Sequence, residues 1–252
     1  MAVQTAQYTD GTYLERVTDW HLGDAAWKAD KVYRMLHKHS LSPATVADVG
    51  CGAGGVLAEL QKKLSPETVL TGFDVSPQAI AMAKKQERGH LTFYQQDFLV
   101  TPTPTLPELI LLLDVFEHVP DYLGFLQRLR ARSDWILFHI PLDICAKEVL
   151  QRSRYPLHMR QQFGHLHYFT RETALATLED TGYTLADHEY TDDMEIDQGA
   201  GGKLKSRLSR KLRRHLFRYK PRFAAALFDH FNLLVLARGD RRAGESVPRA
   251  QS

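Results

Sequence analysis

A glycine-rich turn between a predicted strand and a predicted helix constrains this chain more than any other feature. The apolar stretch that ends at Val49 predicts a strand, the turn is Gly50-Cys51-Gly52-Ala53-Gly54, and a helix is predicted from Gly55. Glycines at such a turn let the backbone bend tightly and approach a ligand closely. The turn therefore predicts a nucleotide-type ligand, and the spacing of Gly50, Gly52 and Gly55 also fits a dinucleotide fingerprint.

The rest of the chain alternates predicted strands and helices, which is typical of a doubly wound α/β fold with helices on both faces of a parallel sheet. The predicted strands are Thr45–Val49, Val69–Phe73, His90–Tyr94, Leu109–Leu113, Trp135–His139, Tyr183–Tyr190 and Asn232–Ala237. The predicted helices cover residues 13–40, 55–64, 77–87, 121–130, 146–154 and 172–181, with caps at Ser76-Pro77 and Thr170. One α/β domain is expected over residues 41–239, with a helical extension or lid at 1–40 and a disordered tail at 240–252.

The charge of the chain is unevenly distributed. Residues 203–222 carry ten Lys or Arg and no acid, while the other 232 residues hold 22 basic and 30 acidic side chains, a net charge of −8. A basic amphipathic helix is predicted as an insertion before the last strand, because leucines recur every four residues at Leu204, Leu208, Leu212 and Leu216. It is interpreted as a structural surface helix, a membrane-surface helix or a phosphate contact. Nucleic acid is disfavoured because no aromatic pattern interleaves the cations.

Cysteine usage and hydropathy indicate a cytoplasmic protein, with peripheral membrane contact through residues 203–222 kept as an open alternative. The chain has two cysteines, Cys51 and Cys145, which form neither a disulfide framework nor a paired-cysteine zinc motif. Residues 1–10 lack the apolar core of a signal peptide, and the apolar run Leu109–Leu113 is too short to span a bilayer.

Three acidic residues favour one class of nucleoside ligand. Asp48 stands two residues before the first glycine of the turn, where a carboxylate suits an ammonium group better than a pyrophosphate. Asp74 ends the second predicted strand and can accept hydrogen bonds from two ribose hydroxyls, a feature that NAD binding shares. Asp97 follows the third strand and can accept a bond from an adenine amine, while Phe98 covers the ring. Together these residues favour S-adenosylmethionine (SAM) over NAD.

This set of residues resembles the class I SAM-dependent methyltransferase family. Asp48–Gly54 is similar to the family's first motif, and Asp114-Val115-Phe116-Glu117-His118-Val119 is similar to the segment after the fourth strand in ubiquinone-type and related small-molecule methyltransferases. The resemblance covers about residues 41–190 and the last strand, and it implies a seven-stranded sheet with an antiparallel last strand. The expected cofactor-binding residues are Asp48, Gly50, Cys51, Gly52, Gly54, Asp74, Val75, Asp97, Phe98, Asp114 and Val115.

Three histidines are the predicted catalytic residues. The sulfonium of SAM already activates its methyl group, so the protein has to orient a nucleophile and, where necessary, remove its proton. His118 follows the fourth strand, and His165 and His167 lie in a later loop, which places them beyond the carboxyl ends of the strands. Because a histidine has a suitable pKa for a general base, the predicted reaction is methylation of a small-molecule hydroxyl; nitrogen and carbon acceptors are less favoured.

A divalent metal site is the open alternative at the same residues. The pattern Asp114-x-x-Glu117-His118 with His165 or His167 resembles metal-binding residues of small-RNA 2′-O-methyltransferases and some quinone O-methyltransferases. The small-RNA enzymes carry Glu where Asp114 stands. An arrangement without metal, in which Glu117 caps a helix and His118 packs beside the cofactor, is favoured. An RNA 2′-O-methyltransferase and a NAD-dependent oxidoreductase stay as alternative functions.

The N-terminal segment is predicted to form either a lid or part of the core. Tyr13, Trp20 and Trp27 supply aromatic surface that suits an apolar or aromatic substrate, or they pack against the sheet. Lys28 is a weak candidate for contacting the carboxylate of the cofactor, and a solvated surface lysine is the favoured interpretation.

Overall fold

The computed structural model describes residues 8–17, 20, 22–100, 105–151, 154–196 and 213–241. Its seven-stranded sheet has the order β3-β2-β1-β4-β5-β7-β6. Strands β1 to β5 pair in parallel, and β7 runs antiparallel to both of its neighbours. This confirms the predicted sheet with an antiparallel last strand. The strands are β1 Thr45–Val49, β2 Val69–Asp74, β3 Leu91–Gln95, β4 Leu109–Leu113, β5 Trp135–Pro141, β6 Thr184–Asp192 and β7 Phe231–Arg238.

Helices flank the sheet on both faces. They are α1 Thr12–Arg16, α2 Ala25–Lys38, α3 Gly55–Leu60, α4 Pro77–Ala83, α5 Tyr122–Arg130, α6 Ala146–Leu150, α7 Tyr155–Gln162, α8 Arg171–Asp180, α9 at residues 213–219 and α10 Pro221–Leu227. The cap predictions are confirmed, because Ser76 accepts a hydrogen bond from the backbone N–H of Ala79 and Thr170 accepts one from that of Thr173.

Two predicted helices are each divided in the structure. The single helix expected over residues 13–40 is replaced by α1, a 3₁₀ turn at Leu22–Asp24 and α2, because Val17 leaves helical backbone geometry at φ −127°. The helix expected over residues 146–154 ends at Leu150, and α7 begins at Tyr155 with a proline in its first turn. Proline is favoured there because the first helical N–H groups have no acceptor within the helix.

Strand β4 shows how the core is divided. All five of its residues are buried. Ile110 and Leu112 pack in one apolar cluster with α5 and α8, whereas Leu109, Leu111 and Leu113 pack in the other cluster with α2, α3 and α4. Successive side chains of a strand point to opposite faces, so an uninterrupted apolar strand requires cover on both sides. This is the doubly wound arrangement that the sequence predicts.

The antiparallel direction of β7 determines which residues meet at the functional edge. The first residues of β7 pair with the last residues of its neighbours, since Asn232 is opposite Pro141 and Phe231 is opposite Asp192. The carboxyl ends of β1, β2, β4, β5 and β6 therefore lie at the same edge of the sheet as the amino end of β7. The side chains of the site are attached to this edge.

The basic segment is partly described, and its described part is anchored to the domain. Residues 203–212 of the predicted helix lie outside the described residues. The buried Arg213 donates two hydrogen bonds to the carboxylate of Asp192, at 2.8 and 3.0 Å, and Leu216 packs against the core. The helical run stops at Lys220, after which Pro221 begins α10. Arg213 and Leu216 thus anchor this part of the segment to the domain, and the role of the segment stays a prediction.

Asp240 and Arg241, which follow the predicted domain boundary at residue 239, contact the domain. The backbone N–H of Asp240 donates to the carbonyl of Arg130 at 2.8 Å, and Arg241 pairs with Asp134 at 3.0 Å. The expected tail beyond Arg241 lies outside the described residues. Among the helices that the structure describes, none combines the length and the apolar character needed to cross a membrane.

Candidate active site

The glycine turn between β1 and α3 has backbone angles that residues other than glycine adopt only with strain. Gly50, Gly52 and Gly54 have φ values of +79°, +52° and +78°. A Cβ atom on Gly50 would lie 2.6 Å from Cγ2 of Val115, so the turn also leaves no room for a side chain there. The backbone N–H of Gly50 donates to the carbonyl of Phe73 at 2.8 Å, which ties the turn to the end of β2. The predicted ligand loop is thus fixed at the functional edge.

Asp74 holds two loops together at the end of β2. One carboxylate oxygen accepts a hydrogen bond from the N–H of Gly52 at 2.9 Å, and the other accepts one from the N–H of Ser76 at 2.8 Å. Burial raises the pKa of Asp74, and these backbone donors oppose that rise. Its predicted contact with ribose hydroxyls stays a prediction, and the carboxylate stands beside the glycine turn where that contact requires it.

Asp48 is a buried acid that faces a second acid. Only 3% of its surface is exposed. Burial and the negative charge of Asp74 raise the pKa of Asp48 to about 7, and the positive charge of Lys28 opposes the rise. A ligand ammonium at this position would favour the charged form of the carboxylate. The environment of Asp48 is therefore suited to a cation, and its predicted contact with the cofactor ammonium group stays a prediction.

The structure corrects the role predicted for Phe98 and shows a local role for Asp97. Phe98 is 2% exposed and packs in the core with its ring centroid 5.0 Å from that of Phe73, so its ring does not line the surface of the pocket. Full burial of a phenylalanine side chain contributes about 1.5–3 kcal/mol, which explains why the ring turns inward. A carboxylate oxygen of Asp97 accepts a hydrogen bond from the N–H of Leu99 at 2.8 Å. The exposed apolar side chain beside Asp74 is Val75, 41% exposed.

Lys28 lies in a buried ionic network rather than at the surface, so the prediction of a solvated lysine is wrong. Its Nζ is 2.9 Å from Asp24 and 2.8 Å from Asp114. Burial alone would lower the pKa of Lys28, but the two carboxylates raise it above its usual range. A buried cation with two carboxylate partners satisfies the pairing that burial of charge requires. Helix α2 is thereby joined to the end of β4.

His139, which the sequence analysis did not single out, completes this network. Its Nδ1 is 2.6 Å from the second carboxylate oxygen of Asp114, and its Nε2 is 2.9 Å from the hydroxyl of Thr191. Burial would raise the pKa of Asp114, yet His139 and Lys28 hold it well below its usual range. The predicted cofactor contact of Asp114 therefore concerns a carboxylate that protein groups already hold. His139 is the one polar residue within the buried run of β5, and this is the sequence signal that could have identified it.

Residues 8–17 form a strap across the functional edge. The hydroxyl of Tyr8 donates to the carbonyl of Phe163 at 3.2 Å, and Arg16 donates to the carbonyl of Gln161 at 2.7 Å. At the other side, the side-chain amide of Gln78 at the start of α4 donates to the carbonyl of Thr9 at 3.3 Å. The strap thus spans from α4, near Asp74, to the end of α7.

Aromatic side chains from the N-terminal region cover the glycine turn. The ring of Trp20 lies 3.7 Å from the Cβ position of Gly52, and the buried Tyr13 contacts Trp20 with ring centroids 4.8 Å apart. Trp27 lies on α2 instead, where its Nε1 donates to Glu195 at 2.8 Å. The part of the N-terminal region that covers the loop is therefore the strap and Trp20, while α2 is packed into the core.

The structure brings His118 and His165 together beside a buried acid. The ring centroids of the two histidines are 4.9 Å apart, and one ligand atom from each of Glu117, His118 and His165 lies within 4.8 Å of the other two. Glu117 is 0% exposed, and neither of its carboxylate oxygens has a hydrogen-bond partner among the described residues. Burial and the charge of Asp114 raise the pKa of Glu117 well above its usual range. The expectation that Glu117 caps a helix is wrong, because Asp121 caps α5.

Backbone hydrogen bonds join the two predicted histidine segments, and they direct His167 away from the pair. The carbonyl of Glu117 accepts from the N–H of Leu166 at 2.8 Å and from that of His167 at 3.1 Å. The Nε2 atom of His167 is 3.0 Å from the carbonyl of Val119, and its ring packs on Tyr122 with centroids 4.3 Å apart. His167 therefore has a structural position, and its predicted catalytic role is not supported by the geometry.

Two further acids at this edge were not predicted. Asp143 follows β5 and contacts His165, with Oδ2 2.6 Å from Nδ1. Asp193 follows β6, accepts a hydrogen bond from the side chain of Asn232, and has its pKa raised by burial to about 6. Their positions a few residues after predicted strands are the signal that could have identified them, since ligands bind beyond the carboxyl ends of strands in open α/β sheets.

The fold and the site define a nucleoside-binding α/β enzyme, with a glycine turn after β1 and an acid at the end of β2. Residues 20–188 match the family model described as a methyltransferase domain. The chain belongs to this family, and it is a class I SAM-dependent methyltransferase with SAM as its cofactor. The NAD-dependent alternative is thereby set aside.

Curated relatives resemble part of the chain. A ubiquinone biosynthesis O-methyltransferase of Histophilus somni is 35% identical over 117 residues, which are 42% of this chain and 48% of the relative. A trans-aconitate 2-methyltransferase of Rhodopseudomonas palustris is 33% identical over 87 residues, 34% of this chain and 33% of the relative. The matched segment thus spans about half, or less, of the length of these relatives.

Solved structures share the fold over most of the chain. A methyltransferase in complex with the Trm112 methyltransferase activator, from Haloferax volcanii, has a TM-score of 0.63 at 17% identity, covering 94% of this chain and 97% of that one. The magnesium protoporphyrin IX methyltransferase of Synechocystis with bound S-adenosylhomocysteine has a TM-score of 0.57 at 16% identity, covering 88% and 86%.

Proposed function

We propose that this enzyme transfers the methyl group of SAM to a hydroxyl oxygen of a small-molecule acceptor. The observation that carries the proposal is the pair formed by His118 and His165 at the functional edge of the sheet. A hydroxyl must lose its proton when its oxygen is methylated, and an imidazole is suited to accept that proton near neutral pH. The curated relatives named ubiquinone biosynthesis O-methyltransferase support an oxygen acceptor.

On the cofactor side, the proposal assigns each part of SAM to particular residues of the site. Asp48 accepts hydrogen bonds from the ammonium group, and Asp74 accepts them from the ribose hydroxyls. The adenine ring lies between Val75 and Asp97, and the backbone of the turn, with Cys51, and the neighbouring Val115 supply the close contacts. SAM, when bound, supplies a methyl group that is already activated for transfer.

On the acceptor side, the protein orients the hydroxyl and takes its proton. As the oxygen bonds to the methyl carbon and the carbon–sulfur bond breaks, the hydroxyl proton passes to a histidine nitrogen. The strap and Trp20 cover the glycine turn and exclude water from it. Release of both products then returns the histidine proton to solvent.

A radiolabel transfer assay with methyl-tritiated SAM tests this function. The acceptor panel contains small molecules that differ only in bearing a hydroxyl, an amine or a carboxyl group. We expect label on hydroxyl acceptors, lost on His165→Gln by on the order of 10²–10⁴-fold and retained in the matched control His167→Gln. Transfer to amines alone, at the same rate in the His165 variant, would rule out hydroxyl methylation with a histidine base.

A second candidate, methyl transfer assisted by a divalent metal, is favoured by one specific observation. Glu117 is a fully buried carboxylate without a hydrogen-bond partner among the described residues, and it groups with His118 and His165. Two imidazoles and a carboxylate are a ligand set for divalent transition metals. Asp114 does not join them because Lys28 and His139 hold it. These three residues would hold the ion, which would lower the pKa of an acceptor hydroxyl, including that of a ribose in RNA.

Metal content and chelation decide between the two candidates. For the metal candidate we expect about one bound ion per chain by elemental analysis, its loss in Glu117→Gln, and its retention in Glu195→Gln, a glutamate outside the cluster. Methyl transfer would also stop on dialysis against a chelator and return with metal. Full activity of the dialysed, metal-free protein would leave the histidine base as the mechanism.

A further inference from the structure

Asp143 is a buried acid that the methyltransferase motifs do not include. It follows β5 and is 4% exposed, and its Oδ2 lies 2.6 Å from Nδ1 of His165, itself 5% exposed. The backbone on both sides of Asp143 is held by hydrogen bonds. The backbone N–H of Leu142 donates to the carbonyl of Phe231 at 3.0 Å, and that of Ile144 donates to the carbonyl of Phe169 at 3.3 Å. The carboxylate thus stands on a rigid part of the functional edge.

We propose that Asp143 is a positioning residue that fixes the orientation and the tautomer of His165. A carboxylate only accepts hydrogen bonds, so the nitrogen that faces it must carry the proton. In neutral His165 the lone pair is then on Nε2, the nitrogen that can accept the proton of the acceptor. This inference rests on the proposed function, and it identifies which histidine acts as the base and which residue makes it competent.

The contacts of the three histidines favour His165 over the other two. The Nε2 atom of His167 is directed at the carbonyl of Val119. His118 lies beside Glu117, with Nε2 3.7 Å from Oε1. His165 is within hydrogen-bonding distance of a buried carboxylate at 2.6 Å, and such a partner holds the ring in one orientation.

A second aspartate–histidine pair of this chain provides an internal control. His39 at the end of α2 contacts Asp187 on β6, with Nε2 2.7 Å from Oδ2. Lys38 pairs with the same carboxylate at 2.6 Å, and the pair lies on an edge strand of the sheet, outside the functional edge. Asp187→Asn therefore removes the same charge from the same kind of pair without touching the site.

Nitrogen NMR of the protein labelled with ¹⁵N-histidine tests the inference without any acceptor. The protein is saturated with S-adenosylhomocysteine at a pH where His165 is neutral, and His165→Gln assigns the resonance. We expect wild-type His165 to be protonated on Nδ1, and this preference to be reduced or inverted in Asp143→Asn but retained in Asp187→Asn. A wild-type His165 protonated on Nε2 would overturn the proposal, whether or not any variant folds.

Steady-state kinetics, using a hydroxyl acceptor identified by the radiolabel assay, distinguishes this inference from the proposed function. We expect Asp143→Asn to lower kcat by at least about tenfold, to move the acidic limb of the pH–rate profile, and to change the affinity for S-adenosylhomocysteine less than about twofold. If His165→Gln is inactive but Asp143→Asn keeps both kcat and the pH profile, the inference fails alone. If His165→Gln is fully active, the histidine base of the proposed function fails as well.

Discussion

The affinity for SAM is expected to depend on pH through Asp48. Its pKa lies at about 7 in the protein without ligand, because burial and Asp74 raise it. If Asp48 binds the ammonium group of SAM as proposed, its charged carboxylate binds that cation far more tightly than the neutral acid does, so binding is coupled to loss of the Asp48 proton. At pH 6 about ten of every eleven molecules carry that proton, which weakens the apparent Kd about tenfold relative to its limit at high pH. At pH 8 the apparent Kd is weaker than that limit by only about a tenth.

The upper limb of the same profile comes from the ligand. An α-amino group has a pKa of about 7.7–8.0, so SAM loses the charge that Asp48 recognises above that range. We therefore expect the tightest binding between about pH 7 and pH 8. Below pH 7, the logarithm of Kd should rise by about one for each pH unit by which the pH falls.

Isothermal titration calorimetry between pH 5.5 and pH 8.5 measures this profile. Repeating the titration at pH 7 in two buffers of different ionisation enthalpy gives the net number of protons released, expected to be about 0.4 per SAM, because the half proton lost by Asp48 is partly offset by proton uptake on the SAM amine. The control is Asp48→Asn, which should bind SAM more weakly and lose the acidic slope. A Kd that is constant from pH 5.5 to pH 7.5, or an acidic slope that persists in Asp48→Asn, would refute the assignment of Asp48.

Three more expectations concern the glycine turn, the ionic network of Lys28 and the basic segment. Gly50→Ala should lower the free energy of unfolding by about 1–3 kcal/mol in urea titrations, because its Cβ meets Val115 and its φ is positive; Val115→Ala should recover only the steric part. Lys28→Met should cost about 3–5 kcal/mol by removing the buried cation that Asp24 and Asp114 share, and adding Asp114→Asn should restore part of it; an unchanged Tm would contradict the network. We also propose that residues 203–222 contact anionic surfaces. We expect the protein to co-sediment with vesicles that contain phosphatidylserine but not with neutral vesicles, and to lose this binding at high salt. Equal binding to both kinds of vesicle would contradict the proposal.

The strands and the glycine turn could be predicted from the sequence because local patterns determine them. The uninterrupted apolar run of β4 indicates a strand covered on both faces, and the turn Gly50–Gly54 requires backbone angles that glycine adopts with little strain. The same holds for the helix that begins after Ser76, where a hydroxyl and a proline provide the start signal. In each case the physical cause lies within a few residues of its effect.

The identity of the charge partners could not be predicted because it depends on residues far apart in the chain. Lys28 reads as a surface lysine on an amphipathic helix until β4 brings Asp114 to within 2.8 Å. Phe98 reads as a cover for adenine until the core offers it a buried position against Phe73. His139 pairs with Asp114 across 25 residues, and no spacing rule connects them.

The residues that the sequence did not single out share one property, which is buried charge or polarity at the carboxyl edge of the sheet. Asp143 and Asp193 follow β5 and β6, His139 lies within β5, and each is paired with a group from another element. Burying ionisable groups at this density opposes folding unless partners or a ligand offset the desolvation. Glu117 and Asp48 are two acids whose pKa values are raised because protein partners do not offset their burial. They flank the places where the proposed function requires a cationic ligand and a reacting hydroxyl, so the unfavourable environment is located where binding can relieve it.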